Sequence, residues 1–451
     1  MNDARPGAWD LPRQRSPSFV AALAMAVDLE RYLEGCRARR GDPFVVELPS
    51  LGPILVTGHP EGARAIFSAP MDVFEPVSPN PVEPLLGRHS LLLLAGEKHR
   101  RERRLMTPSF HGERMRAYGT IIRDTALAEL ATWRPSRGVN LQDAMRRITL
   151  HVIMRAVLGV EGEEKSARFT TAISTMLSAY TPALLILPFL RRGLGGLGPW
   201  DRLVDAREAV CALFRQEIAA RRQTGTAGRE DILSLLMDAR YEDGSALSED
   251  ELIDELRTLI VGGHDTTTTA LAWTLFHVQR SPSVLATLLA ELDALGSSPA
   301  PEQLAQLPYL GAVCNEALRL HPIVPVIPRR CLQPFSLRGV AVTPGQNVAV
   351  ATTLLHTNSE VWSEPSRFDP ARFLTRQYGP FEYAPFGGGV RRCIGAAFGA
   401  YQMRIVVGTI LASLRLETRP ARTPARALKN ITMAPRAPIH LRVVENRHWK
   451  A

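Results

Sequence analysis

The sequence lacks the features that mark several large classes of protein. Its 451 residues include only 5 cysteines, and no pair of them has the short spacing typical of a zinc site or a dithiol redox site. It also has no run of about 20 apolar residues that could span a membrane. The short stretch from Phe19 to Val27 leads directly into Asp28, so neither a signal sequence nor a membrane anchor is predicted. An odd number of cysteines fits a reducing compartment, and we expect a cytoplasmic protein with no stable membrane insertion.

Charge and repeats exclude further classes. The formal net charge is +9, from 54 Lys and Arg against 45 Asp and Glu. The basic residues are dispersed and no nucleic-acid-binding motif is present, so no nucleic acid partner is expected. Internal repeats and low-complexity linkers are also missing. Length alone favours two domains, unless motifs spread along the chain serve one site.

One cysteine lies at the end of a glycine-rich loop, residues 385–395. A helical pattern follows it, so Cys393 is predicted at a helix N-terminus, where the helix dipole favours a thiolate. The glycines at 387–389 would let backbone approach a flat or charged partner, and Arg391 offers a fork for a carboxylate or a phosphate. A lone cysteine is more often a buried small hydrophobe. A phosphate-ester nucleophile would need an arginine within 394–399, and a nucleotide-binding loop would need a Gly-Lys-Ser/Thr sequence. The loop is interpreted as an anionic sulfur ligand beside a bulky cofactor.

A long helix is predicted in the middle of the chain. Apolar residues recur at helical spacing after Ser248, and Ser248 forms a capping box with Glu251. The next strong breaker is Pro282. The predicted helix has roughly 30 residues and a length of ~45 Å at 1.5 Å per residue, so it should cross the core.

This predicted helix contains a stretch that suits a helix poorly, from Gly262 to Thr267. Each glycine costs ~0.5 to 1 kcal/mol relative to alanine, and a local misfit of this kind is typical of a functional site. The Thr266 hydroxyl can donate to the Gly262 carbonyl one turn earlier and open a groove. Asp265 and Thr266 are then candidates for proton transfer. An ordinary capped turn is the alternative that the residues leave open.

The cysteine loop resembles the haem-binding signature of cytochrome P-450 monooxygenases of the soluble bacterial type. The matching positions are Phe386, Gly389, Arg391, Cys393 and Gly395. The resemblance implies a mainly α fold with small β-sheets, shaped as a triangular prism, with a long central helix crossing over the haem. It also implies one domain over residues 1–451, with residues 1–40 as a lead-in segment. Haem b is the implied cofactor, with Cys393 as the ligand of its iron.

Further segments resemble the same family. The Gly262–Thr267 stretch is similar to the family's oxygen-binding segment, which implies catalytic roles for Asp265 and Thr266. Glu316 and Arg319 match the family's Glu-x-x-Arg pattern, and Arg372 is the implied third member of a network that locks the fold.

The implied haem propionate ligands are spread over three segments. His99 and Arg103 share one face of a predicted helix, for which a basic solvated helix is the alternative. Arg329 is the implied partner of the other propionate, together with Arg391. Arg330 should alternate to the opposite face of its strand.

The resemblance implies a monooxygenase that inserts one atom of O2 into an apolar small molecule by hydroxylation or epoxidation. Fatty acids, terpenoids, steroids and polyketides are candidate substrates, in secondary metabolism. Only residues 394–451 follow the cysteine, so no fused reductase is expected. Electrons from NAD(P)H should arrive through a separate ferredoxin or flavodoxin with its reductase. This partner is expected to dock on the monomeric protein at a set of basic residues, Lys98, Arg101, Arg104, Arg392 and Arg404. A peroxide-dependent or isomerising haem-thiolate enzyme and a haem-based binding or sensor protein are the alternatives.

The resemblance also places aliphatic residues around the substrate. The implied lining residues are Leu91 to Leu94, Val261, Val324, Ile327, Ile431 and Met433. The apolar segment 176–190, which carries Pro182 and Pro188, is expected to form a lid over the entrance.

Overall fold

A computed structural model shows a mainly helical protein whose described strands lie before residue 141 and after residue 325. The structure describes residues 9, 18–48, 51–135, 138–193, 195–296, 298–418, 423–429 and 432–447. The helices are α1 (Ser18–Arg40), α2 (Pro60–Phe67), α3 (Glu83–Leu86), α4 (Gly96–Met106), α5 (Arg114–Leu130), α6 (Leu141–Leu158), α7 (Glu163–Ala179), α8 (Pro182–Ile186), α9 (Pro199–Thr224), α10 (Ile232–Asp238), α11 (Glu249–Arg280), α12 (Pro282–Asp293), α13 (Pro301–Gln306), α14 (Pro308–Leu320), α15 (Thr352–Leu355), α16 (Arg372–Thr375) and α17 (Ala396–Ser413). The strands are β1 (Phe44–Leu48), β2 (Gly52–Thr57), β3 (Phe74–Glu75), β4 (Gly138–Asn140), β5 (Val326–Cys331), β6 (Phe335–Leu337), β7 (Val340–Val342), β8 (Asn347–Ala351), β9 (Leu414–Thr418), β10 (Arg426–Lys429), β11 (Thr432–Pro435) and β12 (His440–Asn446). Among the described residues, none between 141 and 325 lies in a strand.

The largest sheet has five strands in the order β1-β2-β8-β5-β3, and only the β2–β8 pair is parallel. Its two faces follow the period of two along each strand. Val46 and Ile54 are cross-strand partners on the face that packs against Leu33 of α1. Val45 and Leu55 point to the other face, against α2. Smaller sheets join β4-β12-β9, β10-β11 and β6-β7.

The predicted central helix is present as α11, whose 32 residues span ~48 Å. Ser248 and Glu251 form the predicted capping box, and Pro282 begins the next helix. Residues 249–280 are helical throughout. Gly263 faces α6, where an added Cβ would lie 2.5 Å from Cδ1 of Ile153. Close packing of α6 on α11 therefore explains one of the two glycines without any catalytic role.

The predicted network of Glu316, Arg319 and Arg372 is also present. Arg319 is fully buried and donates to both Glu316 carboxylate oxygens at 2.7 and 2.8 Å, while Arg372 donates to Glu316 at 3.1 Å. Arg319 also donates to the His356 carbonyl at 2.9 Å, and the His356 ring accepts from the Ala384 N–H at 2.9 Å. The network thus anchors the segment that leads into the cysteine loop.

Candidate active site

A large cavity of about 620 Å³ lies beside α11 and opens onto the cysteine loop. Cys393 and Thr266 both line it, and most of its other lining residues are aliphatic. No acidic side chain among the described residues lines this cavity, whereas several cationic ones do. It therefore combines an apolar wall with one positively charged end.

The cysteine loop holds Cys393 with its sulfur accessible from this cavity. The Cys393 N–H donates to the Phe386 carbonyl at 2.9 Å, and α17 begins three residues later at Ala396. Burial raises the pKa of the Cys393 thiol, and the Gly395 N–H, Arg103 and Arg392 oppose this effect only in part. The Gly395 N–H and the two arginines act in the direction predicted for the helix terminus and burial acts against them, and the preference of Cys393 for a thiolate stays a prediction.

Glycine is needed at residues 387–389 of the cysteine loop for two different reasons. Gly388 and Gly389 lie against α2, where an added Cβ would come within 2.5 Å of the Phe67 ring and 1.9 Å of the Phe67 carbonyl oxygen, respectively. Gly387 has a positive φ of 68° and lines the cavity. Only Gly387 therefore fits the predicted approach of backbone to a flat partner, and the other two allow the loop to pack on the protein.

Four of the predicted site residues, His99, Arg103, Arg329 and Arg391, line the charged end of the cavity. Burial lowers the pKa of Arg329 to about 10, with a contribution from the neighbouring Arg391. Burial also lowers the pKa of Arg391 to about 10. The pKa of His99 falls to about 4, through burial and then through Arg391, Arg103 and Arg329. The structure thus brings these four residues together, and burial, with a smaller contribution from neighbouring positive charge, disfavours their charged forms.

Arg329 and Arg330 lie on different sides of β5. Arg329 lines the cavity, whereas the Arg330 guanidinium lies 3.8 Å from the Glu75 carboxylate. Arg391 is oriented separately, because its guanidinium donates to the Leu94 carbonyl at 2.6 Å. Strand alternation therefore leaves Arg329 as the member of this pair that faces the site.

The predicted catalytic residues Asp265 and Thr266 face different cavities. Thr266 lines the large cavity, and its hydroxyl donates to the Gly262 carbonyl as predicted. Asp265 lines a second, polar cavity of about 250 Å³, together with Arg146 and Lys429. Successive residues on a helix point about 100° apart, since one turn takes 3.6 residues. The structure therefore does not bring the carboxylate and the hydroxyl together in one cavity.

A buried polar network beside this pair was missed by the sequence analysis. The Thr149 hydroxyl lies 2.8 Å from Nδ1 of His264 and 2.7 Å from the hydroxyl of Thr268. His264 Nε2 lies 3.9 Å from Asp265, and burial lowers the pKa of His264 to about 4. The threonine run thus serves partly to connect α11 with α6. No local signal could have found Thr149, which lies 115 residues from His264.

A model of the cytochrome P-450 family matches residues 17–442 of the chain. The chain belongs to the cytochrome P-450 family. It is 34% identical over 414 residues to cytochrome P-450 138 of Mycobacterium tuberculosis, covering 91% of this chain and 90% of that protein. It is 33% identical over 443 residues to cytochrome P-450 135B1 of the same species, covering 98% and 92%. Family membership makes the protein a P-450 monooxygenase.

Solved P-450 structures share the fold. The haem domain of cytochrome P-450DA superposes with a TM-score of 0.85 at 22% identity, covering 97% of each chain. The retinoic acid-bound cyanobacterial CYP120A1 superposes with a TM-score of 0.81 at 23% identity, covering 92% of this chain and 94% of that one. The predicted fold, mainly α with small β-sheets, is therefore confirmed. No helix among the described residues is long and apolar enough to cross a membrane.

The residues of the large cavity fit the haem that the P-450 family implies. Cationic side chains converge on one end without a carboxylate among the described lining residues, and a dianionic group would relieve their repulsion. Nδ1 of His99 is buried and has no hydrogen-bond partner among the described residues, so a polar atom of this cavity-lining residue is unsatisfied. Cys393 offers its sulfur in the same cavity, and Gly387 adds no side chain to the wall. These features match a planar group with two carboxylates and one metal.

Most of the predicted aliphatic lining is in place in this P-450. Leu91, Leu92, Val261, Val324 and Ile327 line the cavity, whereas Leu93, Leu94 and Met433 do not. Ile431 lies outside the described residues. Within the predicted lid, Leu185 reaches the cavity wall and Phe189 is 61% exposed on the outside.

The predicted docking surface of the P-450 is only partly available. Arg101 donates to Asp243 at 2.7 Å and Arg104 pairs with Glu242. The Arg404 guanidinium donates to the Ala305 carbonyl at 2.6 Å. Lys98 and Arg392 are exposed. Intrachain pairs therefore occupy three of the five residues expected to meet a redox partner.

Proposed function

We propose that this P-450 binds haem b through Cys393 and inserts one oxygen atom of O2 into an apolar small molecule, by hydroxylation or epoxidation. One observation carries the proposal. A single cavity holds an accessible cysteine sulfur and convergent cationic side chains at one end, and aliphatic walls over the rest. Haem, when bound, supplies the activation of dioxygen, and the protein supplies binding, orientation and protons.

The basic residues at the charged end of the cavity are assigned to the two propionates. Arg329 and Arg391 line the cavity from β5 and the cysteine loop, and His99 and Arg103 do so from α4, three and seven residues after its first residue. A buried carboxylate without partners is costly, and paired donors offset that cost. These residues are therefore proposed to set the orientation of the bound group and to neutralise its charge.

Thr266 and Asp265 are proposed to deliver protons from two different cavities beside α11. Asp265 faces the polar cavity, whose wall includes the exposed residue Arg436, so its carboxylate has a route to solvent. The Thr266 oxygen faces the large cavity while its proton is donated to the Gly262 carbonyl. Thr266 Oγ1 therefore has a lone pair available to accept a proton or orient a water molecule there.

Electrons are proposed to come from NAD(P)H through a separate ferredoxin or flavodoxin and its reductase. Lys98 of α4 and Arg392 of the cysteine loop are exposed and would meet an acidic partner. The protein is further proposed to act as a cytoplasmic monomer of one domain, in secondary metabolism on a fatty acid, terpenoid, steroid or polyketide.

The spectrum of the reduced carbon monoxide complex tests the ligand. The purified protein should give the spectrum typical of a thiolate ligand, and Cys393→His should lose it while still binding haem. Cys211→Ala is the control, because Cys211 is buried outside the cavity wall. A thiolate spectrum that survives Cys393→His would contradict the proposal. Product formation with a reductase system, and not with peroxide, would separate the monooxygenase from a peroxide-dependent enzyme.

A further inference from the structure

Two hydroxyls and one imidazole join α6 to α11 beside the polar cavity. Thr149 Oγ1 of α6 lies 2.8 Å from His264 Nδ1 and 2.7 Å from Thr268 Oγ1, and both partners belong to α11. Thr149 is fully buried and His264 is 1% exposed, so the contacts between them are shielded from bulk water. Thr268 also lines the polar cavity, together with Asp265. We call Thr149, His264 and Thr268 the α6–α11 network.

His264 is a neutral imidazole within this network. Burial lowers the pKa of His264 to about 4, although the Asp265 carboxylate opposes the shift. Arg146 of α6 and Lys429 of β10 act in the same direction as burial. A neutral imidazole has one N–H donor and one bare nitrogen that accepts. The arrangement of the network therefore depends on which ring nitrogen of His264 carries the proton.

The Asp265 carboxylate favours one of the two tautomers of His264. His264 Nε2 lies 3.9 Å from Asp265 Oδ1, which is longer than a direct hydrogen bond. Both residues are buried, so the field of the carboxylate is weakly screened at this distance. A proton on Nε2 is attracted by that field, whereas the lone pair of a bare Nε2 is repelled by it. His264 is therefore expected to carry its proton on Nε2 and to accept through Nδ1.

The hydroxyl protons of the network then follow one direction. Each threonine hydroxyl has a single proton to donate and two lone pairs that accept. With Nδ1 bare, Thr149 donates to His264 and Thr268 donates to Thr149. The Arg146 carbonyl competes for the Thr149 proton at the longer distance of 3.2 Å. The reverse direction would put the proton on Nδ1 and leave a lone pair of Nε2 beside the carboxylate.

We propose that His264 is a positioning residue for Asp265, held by Thr149 with its proton on Nε2. The proposal rests on the proposed function, in which Asp265 supplies protons from the polar cavity. An N–H held beside the carboxylate restrains the orientation of Asp265 relative to that cavity. His264 itself transfers no proton, because its ring stays neutral.

The tautomer is measured by nitrogen-15 nuclear magnetic resonance on haem-loaded protein labelled in its histidines. The reduced carbon monoxide complex is used, because it is diamagnetic. His264 should carry its proton on Nε2, and the signals that disappear in His264→Gln identify it. Asp265→Asn should raise the ratio of Nδ1–H to Nε2–H about fivefold, the effect of losing one net hydrogen bond. A proton on Nδ1 in the unsubstituted protein, or a ratio unchanged by Asp265→Asn, would overturn the proposal.

Substitutions at Thr149 test whether the network affects proton supply. Thr149→Val keeps the shape of the side chain and removes the hydroxyl, whereas Thr149→Ser keeps the hydroxyl. NAD(P)H consumption is followed with a ferredoxin, its reductase and 1-dodecanol as the apolar probe, whether or not the probe is converted. Thr149→Val should slow consumption about fivefold and increase its solvent deuterium isotope effect, because proton supply becomes slower. Thr149→Ser should restore both quantities.

Thr274→Val is the matched control for these variants. Thr274 is a fully buried threonine of α11, and its hydroxyl donates to the Ala270 carbonyl of the same helix at 2.7 Å. The control should leave the rate and the isotope effect unchanged. An unchanged rate in Thr149→Val would overturn the positioning role. An equal loss in Thr274→Val or in Thr149→Ser would also overturn it, because the loss would then not depend on the Thr149 hydroxyl.

The outcomes separate this proposal from the proposed function. A proton on Nε2 of His264 in a protein without a thiolate-type spectrum would support the tautomer assignment and contradict the proposed function. A thiolate-type spectrum together with a proton on Nδ1 would overturn the positioning role and leave the monooxygenase proposal standing.

Discussion

Removing the Arg319 side chain should destabilise the protein more than any single surface change. Arg319 makes two hydrogen bonds to Glu316 and three to the carbonyls of His356, Pro365 and Arg367, at 2.7 to 3.1 Å. Arg319→Ala would leave the fully buried Glu316 with only Arg372 and the Asp369 N–H as partners. Breaking a buried ion pair costs about 3 to 5 kcal/mol. That loss is a large share of the ~5 to 15 kcal/mol of stability typical of native proteins.

Urea unfolding followed by circular dichroism measures this loss in the free energy of unfolding. Arg367→Ala is the matched control, because Arg367 pairs with Glu364 at the same i,i+3 spacing while both side chains are about two-thirds exposed. The control should change the free energy of unfolding by less than about 0.5 kcal/mol. A change of under about 1 kcal/mol in Arg319→Ala would refute the reasoning, since it would mean that solvent or other donors replace the guanidinium.

Three further predictions concern pH, coupling and docking. His277 and His321 lie Nε2 to Nε2 at 2.6 Å, and burial lowers the pKa of His277 to about 3 and that of His321 well below its usual range. The stability that these two neutral histidines give the folded state is fully present above the unfolded pKa of about 6.5. As the pH falls below that value, the free energy of unfolding should decrease by up to ~1.4 kcal/mol per pH unit for each histidine. A free energy of unfolding that does not change with pH in that window would contradict the prediction. The Thr266→Val variant should still bind haem but should form less product per NAD(P)H consumed. An unchanged ratio of product to NAD(P)H would argue against a role of Thr266 in proton delivery. Higher ionic strength should slow reduction of the P-450 by an acidic ferredoxin. The reduction rate measured by stopped flow should fall more for Lys98→Glu than for Arg104→Glu, because Arg104 is already paired with Glu242.

Local sequence rules predicted the parts of the fold that depend on neighbouring residues. Ser248, Glu251 and Pro282 fixed the ends of α11, because capping and the missing proline N–H act within a few residues. The spacing of Glu316 and Arg319 was likewise enough to pair them on one helix face. The family resemblance supplied Arg372, which no local rule connects to Glu316.

Contacts between distant segments could not be predicted in the same way. Phe67 explains Gly388 and Gly389, but it lies more than 300 residues earlier in the chain. Burial of Cys393 depends on the whole surrounding structure, so the direction of its pKa shift could not be read from the helix that follows.

One feature was open to sequence reasoning and was overlooked. Successive residues point about 100° apart around a helix, so Asp265 and Thr266 could have been assigned to different sides of α11 from spacing alone.

The two cavities beside α11 differ in what lines them. Aliphatic side chains predominate in the cavity on the Thr266 side, and polar side chains predominate in the cavity on the Asp265 side. On the roles proposed for these two residues, a substrate that fills the first cavity leaves the second one unfilled, so substrate binding and proton supply would use separate spaces.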